Sequence, residues 1–331
     1  MRRETLRLLT LAFLSSAALV ACGKKEGPAA PVAEAPAAPT AEEIAAETDR
    51  LNAWFDAKFE EQLDFSPIQR TFLGDKKDYD KIDDVSEAAQ DRILAWQRAS
   101  VDEMKATFDY AKLTPEAKTS WDIWLYQADA AEKAAAFRRQ NYVFTQMQGA
   151  QAFLPQFIIA FHEVSDESDM NAYVSRIGGV ARAIDQLLAQ AKTNAAAGTR
   201  PPRFAYDGVI TQSKNIITGA PFTVGADSPV WADVKSEVAK LKAGGKIDQA
   251  NADALLAAAK AEIEGKLGPS YKALVAWFDS DRANAAEVAS GVGGLTNGAA
   301  YYAERLEANT TTSMTPDEIH ALGLAEVARI H

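Results

Sequence analysis

Six apolar residues, Tyr173, Ile177, Val180, Ile184, Leu187 and Ala191, recur at spacings of three and four over nearly twenty positions. That period places them on one face of an α-helix and is incompatible with a strand, whose side chains alternate every second residue. The same signature returns along the chain. Ile44, Leu51, Phe55, Phe59 and Leu63 share one helical face, introduced by Thr40 and Glu43 at capping-box spacing and ended by Ser66-Pro67. Ile93, Val101, Met104 and Phe108 form another. Thr114-Pro115-Glu116 opens a third, carrying Trp121, Trp124, Leu125 and Ala128, and Gly198 with Pro201-Pro202 closes the helix of residues 173–191. Further helices are expected near 229–242, 248–264 and 269–280. Alanine, the strongest helix former, makes up about a fifth of the chain. No run of alternating β-branched residues signals a large sheet, and no repeat of fixed period is present. The fold class read from these patterns is all-α, a multi-helix array.

The N-terminus reads as an export signal. Arg2, Arg3 and Arg7 give a positive start, Leu8 to Leu14 a short apolar core, and Ser15 to Ala21 a run of small or apolar residues. Leu19-Val20-Ala21-Cys22 resembles the bacterial lipobox, in which the cysteine is lipidated and becomes the first residue. Cys22 is the only cysteine among 331 residues, so no intrachain disulfide and no Cys-rich zinc site can form. Gly23 after the cysteine, where Asp would hold the protein at the inner membrane, favours the outer membrane. Residues 23–41 hold four prolines among many alanines and read as a semi-extended tether. The expected organisation is a signal peptide at 1–21, a lipidated Cys22 and tether over 22–41, and a helical domain over 42–331. The net charge of −11 offers no broad basic face, which argues against nucleic-acid binding and leaves membrane anchorage to lipid.

The final segment is a strong helix start. Thr315 caps, Pro316 takes the first helical position, and Glu318 completes the box. Ile319, Leu322, Val327 and Ile330 continue an apolar stripe that still runs at His331, with no Gly, Asn or Pro to close it. The helical domain is therefore expected to be incomplete at its C-terminus, lacking a second half or a helical partner, and to expose apolar surface there.

Chemistry is sparse. Of the three histidines, His162 begins His-Glu-Val-Ser-Asp, which has the opening of a zincin helix but Asp where the second His belongs. It is expected to be a partly buried packing residue. His320 lies early in the last helix with Glu326 six residues later, a spacing at which two side chains do not face each other squarely. No G-x-S-x-G, Walker A or G-x-G-x-x-G occurs, and Gly291-Val292-Gly293-Gly294 misses the phosphate-loop spacing. Carboxylate pairs such as Asp83-Asp84 are expected to be solvated. Trp54, Trp96, Trp121, Trp124 and Trp277 are expected to serve as core. Residues alone give no complete catalytic constellation and no metal ligands.

Two groups of motifs resemble a known family. Phe65-Ser66-Pro67, Leu73-Gly74, Tyr79-Asp80 and Asp83-Asp84 look like the opening of the bacterial "domain of unknown function 885" proteins. Gly294 to Gly298, Tyr301-Tyr302, Thr310-Thr311-Thr312, Thr315-Pro316-Asp317-Glu318-Ile319-His320, Gly323-Leu324 and Glu326 to Ile330 are similar to the middle of that family. The resemblance implies a gluzincin-like helical body about twice this length, acting as a zinc-dependent peptidase on a peptide substrate. The family's metal motif, His-Glu-Ala-x-Pro-Gly-His-His with a downstream Glu, has no counterpart in this sequence, so zinc is expected only in a full-length member. What carries over is the segment from His320 to Ile330, with His320 and Glu326 as residues lining the cleft or supporting groups that do. The competing expectation is a non-enzymatic envelope lipoprotein that binds a peptide or protein through a helical groove.

Overall fold

The computed structural model describes residues 38–331, and within them the chain is all-α. The signal peptide, Cys22 and residues 23–37 of the tether lie outside the described residues. Twelve α-helices follow one another: α1 (Ala41–Leu63), α2 (Pro67–Phe72), α3 (Glu87–Thr107), α4 (Pro115–Ala135), α5 (Ala150–Phe161), α6 (Glu167–Ala196), α7 (Arg203–Ile216), α8 (Pro229–Ala243), α9 (Gln249–Glu262), α10 (Gly268–Asp281), α11 (Gly298–Thr310) and α12 (Pro316–Ile330). An isolated bridge between Ala220 and Asp227 is the one β-type pairing among the described residues. No helix of the described residues is long and apolar enough to cross a membrane.

The caps explain where helices begin. Thr40 accepts from the Glu43 amide while the Glu43 carboxylate accepts from the Thr40 amide, and Thr315 and Glu318 repeat the arrangement at α12. Ser66, Ser86, Thr114, Asp166 and Asp248 cap α2, α3, α4, α6 and α9 from one side only, each side chain accepting from the amide three residues on. Ser66-Pro67 thus does two jobs: it ends α1 and starts α2, with Pro67 at a position whose missing N–H costs nothing.

Two hydrophobic clusters organise the helices. The smaller gathers Leu51, Met104, Phe108, Leu113, Ala117 and Trp121 from α1, α3 and α4. Trp54, Trp96 and Trp124 surround it edge to face, with centroids 5.4 to 6.1 Å apart. Their indole N–H groups donate to Glu103, Glu61 and the Ser100 hydroxyl, so these half-buried tryptophans flank the cluster with satisfied polar edges, and of the five expected as core only Trp121 is buried. Phe59, grouped with that face by its spacing, is instead 49% exposed.

The larger cluster is built on α6, about 45 Å long at 1.5 Å per residue. Tyr173, Ile177, Val180 and Ile184 are fully buried. Helices α5, α7, α8, α9 and α10 pack around it. The helices expected at 248–264 and 269–280 are one continuous rod, because a π-helical turn at Ile263–Leu267 joins α9 to α10.

Helix α12 stands apart. It has no buried residue, and its side-chain hydrogen bonds are all local. Leu322, Leu324, Val327 and Ile330 are 51 to 72% exposed.

Candidate functional site

The opening motif resolves into a buried polar clamp on α6. Arg176 has no solvent exposure. Its Nε donates to the Lys81 carbonyl (3.0 Å), one Nη to the Thr71 hydroxyl (2.6 Å), and the other to His162 Nδ1 (2.8 Å). Because an arginine only donates, His162 Nδ1 accepts, and its proton sits on Nε2, which donates to the Asp169 carbonyl at 2.9 Å. The imidazole stacks on Tyr79 at 4.1 Å and meets Tyr173 edge-on. The Tyr79 hydroxyl both accepts from the Glu163 amide and donates to its carbonyl, and the Arg176 guanidinium lies 4.5 Å from the Tyr79 ring centre.

Among the described residues, no carboxylate pairs with this guanidinium. Burial lowers the Arg176 pKa to about 10, and burial, aided by the Arg176 charge, lowers that of His162 to about 4. The imidazole is therefore neutral at physiological pH. His162 is buried, more than the sequence pattern implied, and it terminates α5. With both ring nitrogens committed, it has no lone pair for a metal.

Asp83 and Asp84 correct the expectation of a solvated pair. Asp83 accepts from the Ser66 hydroxyl (2.8 Å) and the Ile68 amide (2.9 Å), and burial raises its pKa. Asp84 accepts from Ser86, Gln186 and Arg92, and those bonds, Ser86 first, hold its carboxyl at about 2. Together they fasten the loop before α3 onto the start of α2 and onto α6. Local spacing does not show this, because the partners on and before α2 lie 15 and 17 residues from Asp83 and the one on α6 lies 102 residues from Asp84.

His320 and Glu326 are not brought together with any of these groups. Both lie on α12, where His320 is exposed and Glu326 pairs with Arg329 at 2.7 Å. Among the described residues, no three His, Cys, Asp or Glu side chains converge on a metal-sized site. The residues present do not fit a zinc ion.

Among the described residues, two of the larger concavities lie on opposite parts of the helical array's sequence. One, of about 570 Å³, lies between α4, α11 and the start of α12, lined by Phe137, Ala300, Ala303, Leu306 and residues 312–316. Lys133 spans its wall, pairing with Asp129 and Glu307 at 2.8 Å each. The other, of about 630 Å³, runs along α6 over Gly178 and Gly179, with Lys81, Arg182 and Lys266 at its edges.

Among curated proteins, none matches the sequence. Among solved structures, the chain is similar to one described as "the putative lipoprotein from Colwellia psychrerythraea", with a TM-score of 0.69 and 15% identity. The match covers 86% of this chain and 49% of that one, so the chain spans about half the length of the structure it resembles. At this identity the likeness is one of fold. The sequence model of the bacterial proteins of unknown function DUF885 matches residues 67–331, which include both the clamp and α12. The chain belongs to the DUF885 family.

Proposed function

We propose that this polypeptide is the N-terminal helical half of a lipid-anchored envelope protein, held through Cys22 at the outer membrane and facing the periplasm, whose complete form cleaves peptides. The observation that carries the reading is α12: a well-capped helix with an apolar stripe and no buried residue, in a chain that spans half of its structural counterpart. The peptidase assignment rests on the family resemblance, and the zinc ligands it calls for would have to come from outside this chain. On this reading the half in hand supplies one wall of a cleft, with His320 and Glu326 on that wall.

The first test is the mass of the protein in native membranes. A lipidated species near twice 35.7 kDa supports the reading, and one near 35.7 kDa removes it. In the complete protein, His320→Ala is expected to lower kcat/KM about tenfold or more for a peptide substrate, with the melting temperature unchanged. Unchanged turnover would remove His320 from the cleft.

The groove between α4 and α11 favours a second reading, a lipoprotein that holds a peptide without cleaving it. Retained peptide binding by a 35.7-kDa native species with no hydrolysis would select it.

A further inference from the structure

Among the described residues, nothing packs against Gly323 closely enough to require a glycine. A helix-interior glycine weakens a helix relative to alanine, so its presence calls for a packing reason. The interior glycines of α6 and α7 supply one, whereas Gly265 in the π turn between α9 and α10 meets nothing within 4 Å. A Cβ on Gly178 would run into the Glu262 carboxylate, one on Gly179 would lie 2.9 Å from Ile82 Cγ1, and one on Gly208 would meet the Gln146 side chain. A Cβ on Gly323 would meet nothing within 4 Å.

The residue also lies in the middle of the unpartnered face. At 100° per residue, Ile319, Leu322, Gly323, Glu326, Val327 and Ile330 share one side of α12, and Ala321 and Ala328 lie opposite. A glycine inside an apolar stripe is the arrangement that lets a second helix approach closely. The stripe contains one charge, Glu326, whose sole partner is Arg329 one turn on. Covering that carboxylate requires another donor.

We infer that the Gly323 face of α12 is the seat of one helix from the second half of the same polypeptide, crossing at Gly323 with a small residue of its own and presenting a cationic or hydrogen-bonding side chain to Glu326. This rests on the half-protein reading above: a counterpart of twice the length has chain enough to supply that helix. A second copy crossing in parallel about a two-fold axis would bring the two Glu326 carboxylates together, which disfavours that arrangement of the occupant.

The test uses the protein expressed from its own gene, in isolated membranes. Each added cysteine is read against the same protein without it, so that thiols elsewhere in the polypeptide are subtracted. Leu322→Cys should react with a maleimide at least tenfold more slowly than Ala321→Cys. Adding Gly323→Leu should bring the two rates within twofold while amide exchange in α6 stays unchanged, which shows the body still folded. Glu326→Lys should do the same, and Glu326→Gln should retain most of the protection. Equal rates in a species of twice 35.7 kDa overturn the docking proposal and leave the half-protein reading intact. Equal rates in a 35.7-kDa species end both. A slow Leu322→Cys in a 35.7-kDa species that elutes as a dimer assigns the face to a second copy and overturns the proposal.

Discussion

The buried charge at Arg176 is held by neutral oxygens and one imidazole nitrogen, and that makes the clamp sensitive to acid. His162 titrates near 4 in the folded protein, against about 6.5 when unfolded. The unfolded chain therefore takes up this proton first, so stability is lost as pH falls from about 6.5 towards 4. The contribution of this one group is about 3 kcal/mol at the bottom of that window. The slope of urea stability between pH 7 and 4.5 should be shallower in His162→Gln, which can still accept from Arg176 and donate to Asp169. Equal slopes would show that His162 does not carry the effect. Arg176→Leu should cost about 3 kcal/mol or more, because it strips donors from Thr71, Lys81 and His162 in a dry site.

Two adjacent glycines test packing at the level of the helix. Gly179→Ala pushes a methyl against the β-branched, buried Ile82 and should cost about 1–3 kcal/mol. Gly178→Ala meets the end of a flexible carboxylate and gains helix propensity, so thermal unfolding should shift little. A reversed order would mean that the Glu262 contact, not the Ile82 contact, fixes this stretch of α6. What was legible in the sequence divides along similar lines. Helices with a polar face and a side-chain cap, such as α1, α4 and α12, could be read from period and cap together, whereas α6 was read from its period alone and its start at Glu167, capped by Asp166, was not. Helix α5 could not: AQAFLPQFIIAF is apolar nearly all round, with Pro155 inside it, so no stripe stands out. Helix α7 follows Pro201-Pro202 without a capping side chain. The clamp was invisible for another reason. Tyr79, His162 and Arg176 are unremarkable one at a time, and only folding brings them together across nearly a hundred residues.

At the scale of the molecule, the unpaired faces should govern behaviour in solution. The helical body, residues 38–331, should self-associate as concentration rises, and Val327→Lys with Ile330→Glu should suppress this in sedimentation without moving the melting temperature. An unchanged sedimentation profile would place the sticky surface elsewhere, with Phe72, Leu73, Phe153 and Phe161 the next to change. The joined rod of α9 and α10 has a different consequence. Its buried positions Leu255, Ala259, Ile263, Leu267 and Tyr271 step by four each time. In a regular helix sixteen residues would carry that line about 160° around the axis, off the core. The π turn absorbs one residue and cuts the drift to about 60°. The rod is thus wound in two phases with a spare residue between them. Deleting the exposed Gly265 should let the turn close into ordinary helix with both core faces still aligned. Deleting Ala257 or Ala276 should rotate everything downstream by about 100° and unfold the α6–α7–α10 packing. A circular-dichroism melt of the three deletions would separate a tolerated loss from two ruinous ones, and would show that this fold keeps its timing in one turn.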